Sequence, residues 1–113
     1  MSETRRPLLQ GTLDLMVLTT LETMGPMHGF GIARRLEQVS ENLLYLNQGT
    51  LYPALIRLEQ KGYIKSRYAR SESNRRARFY ELTKSGRRQL AREKQSWERM
   101  AAVIGRMLEA QAQ

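Results

Sequence analysis

The apolar residues of this sequence change their spacing at Gly62, and that change restricts the folds open to the chain. Before Gly62 they recur every three or four residues, which is the spacing of one face of an α-helix. After it, residues 63–68 and 78–82 alternate between apolar and polar, as strands with one buried face do, and the polar stretch 70–76 joins them as a turn. The pattern therefore predicts helices followed by a β-hairpin.

Three helices are predicted before Gly62. The first covers residues 11–24 and ends at a Gly-Pro pair, because glycine suits the position after a helix and proline cannot continue one. The second covers residues 29–39 and the third residues 48–61, and the apolar run 43–46 between them has the composition of a short strand. The side chains expected to be buried from the first two helices are Leu13, Met16, Val17, Leu21, Met24, Phe30, Ile32, Ala33, Leu36 and Val39.

A long helix is predicted after the hairpin, over residues 84–110, with Thr83 as its N-cap. Its apolar residues follow a heptad pattern and are expected to form a dimerisation seam: Leu90, Trp97, Met100, Ile104 and Met107. Such a stripe must be covered either by the preceding domain or by a second copy of the chain. We expect the second copy, since twofold dimers are the commonest assemblies.

Positive charge is concentrated in one segment of the chain. Residues 57–92 contain twelve Lys or Arg against three Glu, a local charge of +9, whereas residues 1–56 carry −1 and the remainder is neutral. A segment with this charge attracts polyanions, of which nucleic acid is the commonest. Charge alone is equally compatible with a basic surface that is merely solvated.

The order of three helices, a hairpin and a long helix is typical of a winged helix-turn-helix protein. The expected fold is mainly α with a small β-hairpin. Residues 1–83 are expected to form a winged helix-turn-helix DNA-binding domain, and residues 84–113 a C-terminal dimerisation helix. The basic segment begins inside the third helix and includes the whole hairpin, so the fold pattern and the charge indicate the same surface.

The third helix and the hairpin supply the candidate DNA contacts. Leu51, Leu55 and Leu58 follow helical spacing and face the core, which leaves polar residues on the other sides of the helix. The residues expected to contact DNA from the helix are Gln48, Thr50, Tyr52, Pro53 and Arg57. Those expected from the hairpin are Arg70, Asn74, Arg75, Arg76 and Arg78. Alternation suggests that one face of the hairpin packs on the domain while the other meets phosphate.

Residues suited to catalysis or metal binding are scarce. His28 is the only histidine and the chain has no cysteine, so no metal site is expected, and His28 is expected to cap the corner at residues 25–31. A Gly-Phe-Gly sequence at 29–31 begins like a dinucleotide-binding loop, but Arg34 occupies the third glycine position. We therefore expect no enzyme activity and no cofactor. With no long apolar run and no secretory signal, a cytoplasmic protein is expected.

An ordered series of motifs runs from Leu9 to Leu90: LQGTLDL (9–15), GPMHGF (25–30), GTLYPAL (49–55), RLE (57–59), GYI (62–64), RRARFY (75–80), LT (82–83) and GR (86–87). Each motif is weak alone, but the ordered set resembles the PadR-like family of transcriptional regulators. The resemblance implies a winged-helix repressor that binds a pseudo-palindromic operator as a homodimer. Its third helix would read the major groove, and its C-terminal helix would build the dimer.

The sequence departs from the family pattern in two places. Tyr63 stands where the family often has Trp, which is a conservative change. Larger members also have several C-terminal helices, whereas a single helix is predicted here, as in the short subgroup. Members that sense small molecules use a cavity between the DNA-binding and dimerisation elements. A single C-terminal helix leaves less surface to line such a cavity for a small-molecule effector.

The alternative function is a winged-helix module that binds a protein or RNA partner, and it predicts weak, sequence-indifferent DNA binding. The outer side of the third helix favours the DNA interpretation. Its residues Thr50, Tyr52, Pro53 and Arg57 project away from the core and combine hydrogen-bonding and apolar groups, as contacts to base edges require.

Overall fold

The computed structural model describes residues 10–44 and 46–112. Within these residues the elements are α1 (Gln10–Met24), β1 (Met27–His28), α2 (Gly29–Val39), α3 (Gln48–Gln60), β2 (Ile64–Arg70), β3 (Arg76–Leu82) and α4 (Lys84–Ala112). The described strands form one antiparallel sheet in the order β1-β3-β2. The predicted fold, mainly α with a small β-hairpin and a long C-terminal helix, is confirmed.

The element bounds differ little from the prediction, because several helix ends carry a local start or stop signal. Glycines in the left-handed conformation follow α1 and α3: Gly25 and Gly62 both have φ of 80°. At the start of α3 the Asn47 side chain accepts a hydrogen bond from the Thr50 backbone N–H at 2.9 Å. These local signals explain why the sequence located the helices well.

The strands differ from the prediction in two places. No strand was predicted at β1, which pairs with β3 through Met27↔Tyr80 and His28↔Phe79. A strand of two residues is too short to produce a recognisable alternation. The strand suggested at 43–46 is wrong for the described residues: Leu43 and Leu44 lie outside any strand, as does Leu46, while Tyr45 lies outside the described residues.

The hydrophobic core is centred on α1, which contacts α2, α3, α4 and β3. Val17 and Leu18 of α1 are completely buried, as are Leu51 and Leu55 of α3. The buried apolar side chains are Leu13, Val17, Leu18, Leu21, Ile32, Ala33, Leu36, Leu46, Leu51, Ala54, Leu55, Leu58, Ile64, Tyr80, Leu82 and Leu90.

Three residues that were expected in the core are exposed. Phe30, Val39 and Met24 keep 62%, 64% and 47% of their surface accessible. The buried side of α2 is the narrower stripe of Ile32, Ala33 and Leu36, and Phe30 lies outside it. Apolar character alone therefore overestimated the width of the buried stripe.

A side-chain cap fixes the start of α2 beside the sheet. His28 Nδ1 accepts a hydrogen bond from the Gly31 N–H at 2.9 Å, as the capping expectation required. The same imidazole meets the Phe79 ring edge-on, with 5.4 Å between ring centroids. His28 thus connects β1, α2 and β3.

The start of α4 is held against the end of α3. Thr83 Oγ1 accepts a hydrogen bond from the Gly86 N–H at 3.0 Å and donates one to the Gly62 carbonyl at 2.6 Å. Gly86 lies directly against the Tyr63 backbone carbonyl, so that α4 approaches more closely than any side chain would allow. Along the described residues, no helix combines the length and hydropathy that crossing a bilayer requires.

We predict that Gly86→Ala destabilises the fold, because the new methyl group would overlap the Tyr63 carbonyl and force α4 away from the domain. The expected loss in the free energy of unfolding is about 2–3 kcal/mol. Gly105→Ala is the matched control: the same helix has open space there, and alanine should add about 0.5–1 kcal/mol. Urea unfolding at a fixed protein concentration measures both. Equal stability of Gly86→Ala and wild type would contradict the close approach.

Candidate nucleic-acid interface

We call the hairpin of β2, β3 and their connecting turn, residues 64–82, the wing. Its register pairs Ile64 with Leu82 and Ser66 with Tyr80 near the domain, and Tyr68 with Arg78 farther out. Alternate residues of a strand share a face, so these side chains lie on one face of the wing. That face is buried at Ile64 and Leu82 and exposed at Tyr68 and Arg78.

The sequence predicted that one face of the wing packs on the domain and the opposite face carries the groups that meet phosphate. The division of a single face corrects this expectation. The same face packs at its inner end and carries the basic groups at its outer end. Arg76 and Arg78 share it, as alternation predicted, and both lie beside the Tyr68 ring. The guanidinium carbons are 4.2 Å and 5.4 Å from the ring centroid, respectively. Stacking on an aromatic ring holds an arginine in place while its charge stays accessible.

The tip of the wing is an ordered turn. The Ser71 N–H donates to the Arg75 carbonyl and the Asn74 N–H to the Ser71 carbonyl, both at 2.8 Å. Asn74 has φ of 62°, a left-handed conformation that asparagine tolerates better than most residues. Arg70 Nη1 donates to the Asn74 carbonyl at 3.2 Å. Arg70 and Asn74 therefore shape the turn, whereas Arg75 is exposed at its end.

An open groove of about 1190 Å³ lies between the wing and α2, and we call it the basic groove. Its arginines come from two elements: Arg34 and Arg35 from α2, and Arg75, Arg76 and Arg78 from the wing. Glu72 is the one acidic residue among those that line it. Five arginines around one concave surface create a strong local attraction for a polyanion.

Arg34 and Arg35 were not predicted to belong to the site, because they lie in the nearly neutral first half of the chain. A signal for them was present. They are adjacent basic residues on α2, next to the buried pair Ile32 and Ala33. Arg34 also lies over the exposed Phe30 ring, with its guanidinium carbon 5.9 Å from the centroid.

The outer side of α3 borders the basic groove through Tyr52. Thr50, Tyr52 and Pro53 are exposed, as the sequence predicted, while Leu51 and Leu55 are fully buried on the opposite side. The side chain of Gln48 lies outside the described residues. The exposed groups of α3 are a hydroxyl, a phenol and a proline ring, which can make hydrogen bonds and apolar contacts with base edges.

Arg57 differs from the other residues assigned to the reading side of α3. Its Nη2 donates a 2.7 Å hydrogen bond to Asp14 Oδ1 of α1, and the Asp14 side chain is only 9% exposed. The Arg57 Nε is buried without a hydrogen-bond partner among the described residues. The expectation that Arg57 projects away from the core is therefore wrong. Its guanidinium ties α3 to α1.

The phenol of Tyr80 separates the core from the basic groove. Burial raises the pKa of the Tyr80 hydroxyl, the neighbouring Tyr52 acts in the same direction, and Arg78 lowers it. The net effect is a raised pKa, and the phenol is neutral at physiological pH, as an unperturbed tyrosine also is. The positive charge of the groove is therefore not reduced at this position.

The outer part of α4 exposes a stripe of apolar side chains, which we call the α4 stripe: Trp97, Met100, Ile104, Met107 and Leu108. Trp97, for example, keeps 56% of its surface accessible. Leu90 was assigned to the same seam, but it is only 4% exposed and belongs to the core of its own domain. The first two turns of α4 are thus docked, and the exposed stripe begins at Trp97.

No group of three or more His, Asp or Glu side chains is placed to hold a metal ion within the part of the chain that the structure describes. The clustered charged groups of the molecule are arginines, which bind anions.

Comparison with known proteins identifies a family. The model of the "Transcriptional regulator PadR-like family" matches residues 17–92. A 37.1 kDa protein encoded in a transposon of Streptomyces fradiae is 40% identical over 97 residues, which cover 86% of this chain and 25% of that protein. The chain therefore spans only a quarter of the length of that relative.

Solved structures give the same result. A transcriptional regulator from Clostridium thermocellum is 31% identical, with a TM-score of 0.77 over 86% of this chain and 93% of that chain. A PadR family transcription regulator from Clostridium difficile is 35% identical, with a TM-score of 0.72 over 85% and 97% of the two chains.

We predict that Arg57→Ala destabilises the domain by about 1–3 kcal/mol, because it leaves the buried Asp14 carboxylate without its partner. Arg67→Ala is the control, since the Arg67–Glu81 pair is exposed and its atoms are 4.0 Å apart. That change should stay within about 0.5 kcal/mol. Thermal unfolding of the two variants measures the difference. Equal effects would show that the Asp14 pair contributes no more than a surface pair.

Proposed function

Because the chain belongs to the transcriptional regulator PadR-like family, we propose that it is a sequence-specific DNA-binding repressor that recognises a pseudo-palindromic operator as a homodimer. The observation that carries this proposal is the basic groove, which lies directly beside the exposed side of α3. A duplex needs both features at once: polar groups to read base edges and cations to bind its phosphates.

In this proposal α3 enters the major groove. Thr50, Tyr52 and Pro53 contact base edges, together with Gln48 at the start of the helix. Arg57 contributes indirectly, since its bond to Asp14 fixes the angle of α3.

The arginines of the basic groove bind the phosphate backbone on either side of α3. Arg75 is exposed at the tip of the wing, and Arg76 and Arg78 are held by Tyr68. Arg34 and Arg35 extend the same surface along α2. Arg70 and Asn74 support the tip rather than reading sequence, because they bond to each other.

The α4 stripe supports the homodimer. Trp97, Ile104 and Met107 would place a continuous apolar surface in water if the helix stayed alone. Pairing with the same stripe of a second copy buries both surfaces around a twofold axis. A twofold dimer presents two α3 helices, and this symmetry is matched by an inverted repeat in DNA. Repression follows when such a dimer occludes the DNA that it covers.

The proposal is tested by selecting duplexes from a random pool and titrating variants on the selected sequence. Tyr52→Ala should weaken binding to the selected duplex about tenfold or more and leave binding to a scrambled duplex nearly unchanged. Arg75→Ala should weaken binding to both duplexes by similar factors and lower the salt slope by about one. Arg106→Ala, which removes the same charge from the far end of α4, should change neither.

Two results would contradict operator recognition. One is a wild-type protein that enriches no twofold sequence, and the other is a Tyr52→Ala variant that binds the selected duplex like wild type. Tight binding to a protein or an RNA, with weak and sequence-indifferent DNA binding, would establish the alternative function.

For the homodimer, we predict that the double variant Trp97→Ala, Ile104→Asp is monomeric at micromolar concentration while the wild type is dimeric. The two changes remove the largest apolar side chain of the stripe and place a charge at its centre. Arg99→Asp introduces the same acidic group on a different side of α4 and should leave the dimer intact. Sedimentation velocity distinguishes these states. A monomeric wild type, or a double variant that stays dimeric, would disprove pairing through the stripe.

A further inference from the structure

A chain of side-chain hydrogen bonds joins α3 to both strands of the wing. Ser66 Oγ, on β2, donates to Glu59 Oε2 in the last turn of α3 at 2.6 Å. The same hydroxyl accepts a hydrogen bond from Arg78 Nε on β3 at 2.9 Å. Among the described residues this is the one side-chain hydrogen-bonded connection between α3 and the wing. We call it the Ser66 relay.

The relay lies at the level where the wing leaves the core. Ser66 pairs in register with Tyr80, which is only 4% exposed, whereas the next pair on the same face, Tyr68 and Arg78, is exposed. Beyond Ser66 the wing has no apolar support on this face. A two-stranded ribbon without such support twists and bends easily. A bond to α3 at this level therefore adds a directional constraint on the outer wing, beside the pairing of β3 with β1 at Phe79 and Tyr80.

The chemistry of the relay gives it both strength and direction. Glu59 is a carboxylate and Arg78 a guanidinium, so both hydrogen bonds of Ser66 are charge-assisted. A serine hydroxyl has a single proton, which goes to Glu59, and its lone pair receives the Arg78 N–H. Arg78 is held at Nε by Ser66 and beside the Tyr68 ring, so two contacts fix the plane of its guanidinium.

Resting on the proposed function, we infer that Ser66 and Glu59 are positioning residues for DNA specificity. They hold the wing arginines at a fixed angle to α3, so that base contacts and phosphate contacts form together on one duplex. This gives a reason for an acidic residue beside a surface that binds a polyanion. If Glu59 acted only through its charge, removing it would strengthen binding to any duplex. As a positioning residue, it strengthens binding to the operator alone.

The experiment compares Ser66→Ala with Ser66→Thr, which retains the hydroxyl, and with Ser73→Ala, the same change at the exposed tip of the wing. Ser66→Ala should weaken binding to the selected duplex about tenfold and to a scrambled duplex by less than about twofold. Ser66→Thr should restore most of the loss, and Ser73→Ala should behave like wild type. Glu59→Ala should reproduce Ser66→Ala, and the double variant should be no weaker than either single variant.

A second measurement is independent of DNA. Residual dipolar couplings of the wing amides, fitted in the frame of α3, report the mean orientation and mobility of the wing in the free protein. Ser66→Ala should reduce these couplings, and Ser66→Thr should restore them. If the wild type selects no duplex, the proposed function fails and the role in DNA specificity fails with it, while this measurement still shows whether Ser66 orients the wing. The failure of the two ideas is therefore distinguishable.

Three outcomes would overturn the inference. The first is a set of wing couplings that Ser66→Ala leaves unchanged. The second is an equal loss of binding to selected and scrambled duplexes, which would make Ser66 a general stability residue. The third is tighter binding of the selected duplex by Glu59→Ala, which would show that Glu59 acts only through its charge.

Discussion

The packing of α1 against every layer of the domain is the constraint on which the other features depend. Val17 and Leu18 are completely buried, and α1 contacts α2, α3, α4 and β3. Apolar burial holds these elements together, and the interlocking of their side chains limits the angles at which they meet. Oriented polar bonds restrict these angles further. The Asp14–Arg57 pair supplies one between α1 and α3, and the Ser66 relay supplies another between α3 and the wing. The domain thus combines an apolar core, which holds the elements together, with a few polar bonds that orient them.

The sequence predicted the features that depend on neighbouring residues. It failed where the position of a side chain depends on residues far away in the chain. Helix bounds follow from caps and glycines within a few residues, so α2 was located without error and α3 to within one residue. Arg57 was misplaced because its partner, Asp14, is 43 positions away in the chain. Leu90 was misplaced for a related reason: a heptad pattern does not reveal which of its members the same chain covers. Phe30 was wrongly expected to be buried. Its exposure depends on how α2 sits beside the wing, which the spacing of apolar residues does not show.

The basic groove illustrates a similar limit for the candidate site. A count of charge along the chain located the wing arginines, since they are close together in sequence, but not Arg34 and Arg35, which reach the same groove from α2. The count of charge also does not show which contacts hold the arginine side chains in place. Arg76 lies over Tyr68, and Arg78 is bonded to Ser66, so these two guanidinium groups are ordered before any ligand arrives. Ordering them in advance lowers the entropy lost on binding, which is a source of affinity separate from charge.

The docking of α4 on the domain bears on the geometry of the proposed dimer. The helix has 29 residues, so it is ~43 Å long at 1.5 Å per residue, and its path is set by its first two turns. There Gly86 allows contact with the Tyr63 carbonyl, and Leu90 packs into the core. A small rotation at Gly86 would be multiplied along the helix before it reaches Met107. In a homodimer paired through the α4 stripe, the distance between the two α3 helices would therefore depend on this close contact at the start of α4. Since operator half-sites lie at fixed helical repeats of DNA, the proposed recognition would require a rigid attachment of α4 as well as the residues of α3 that are proposed to face the bases.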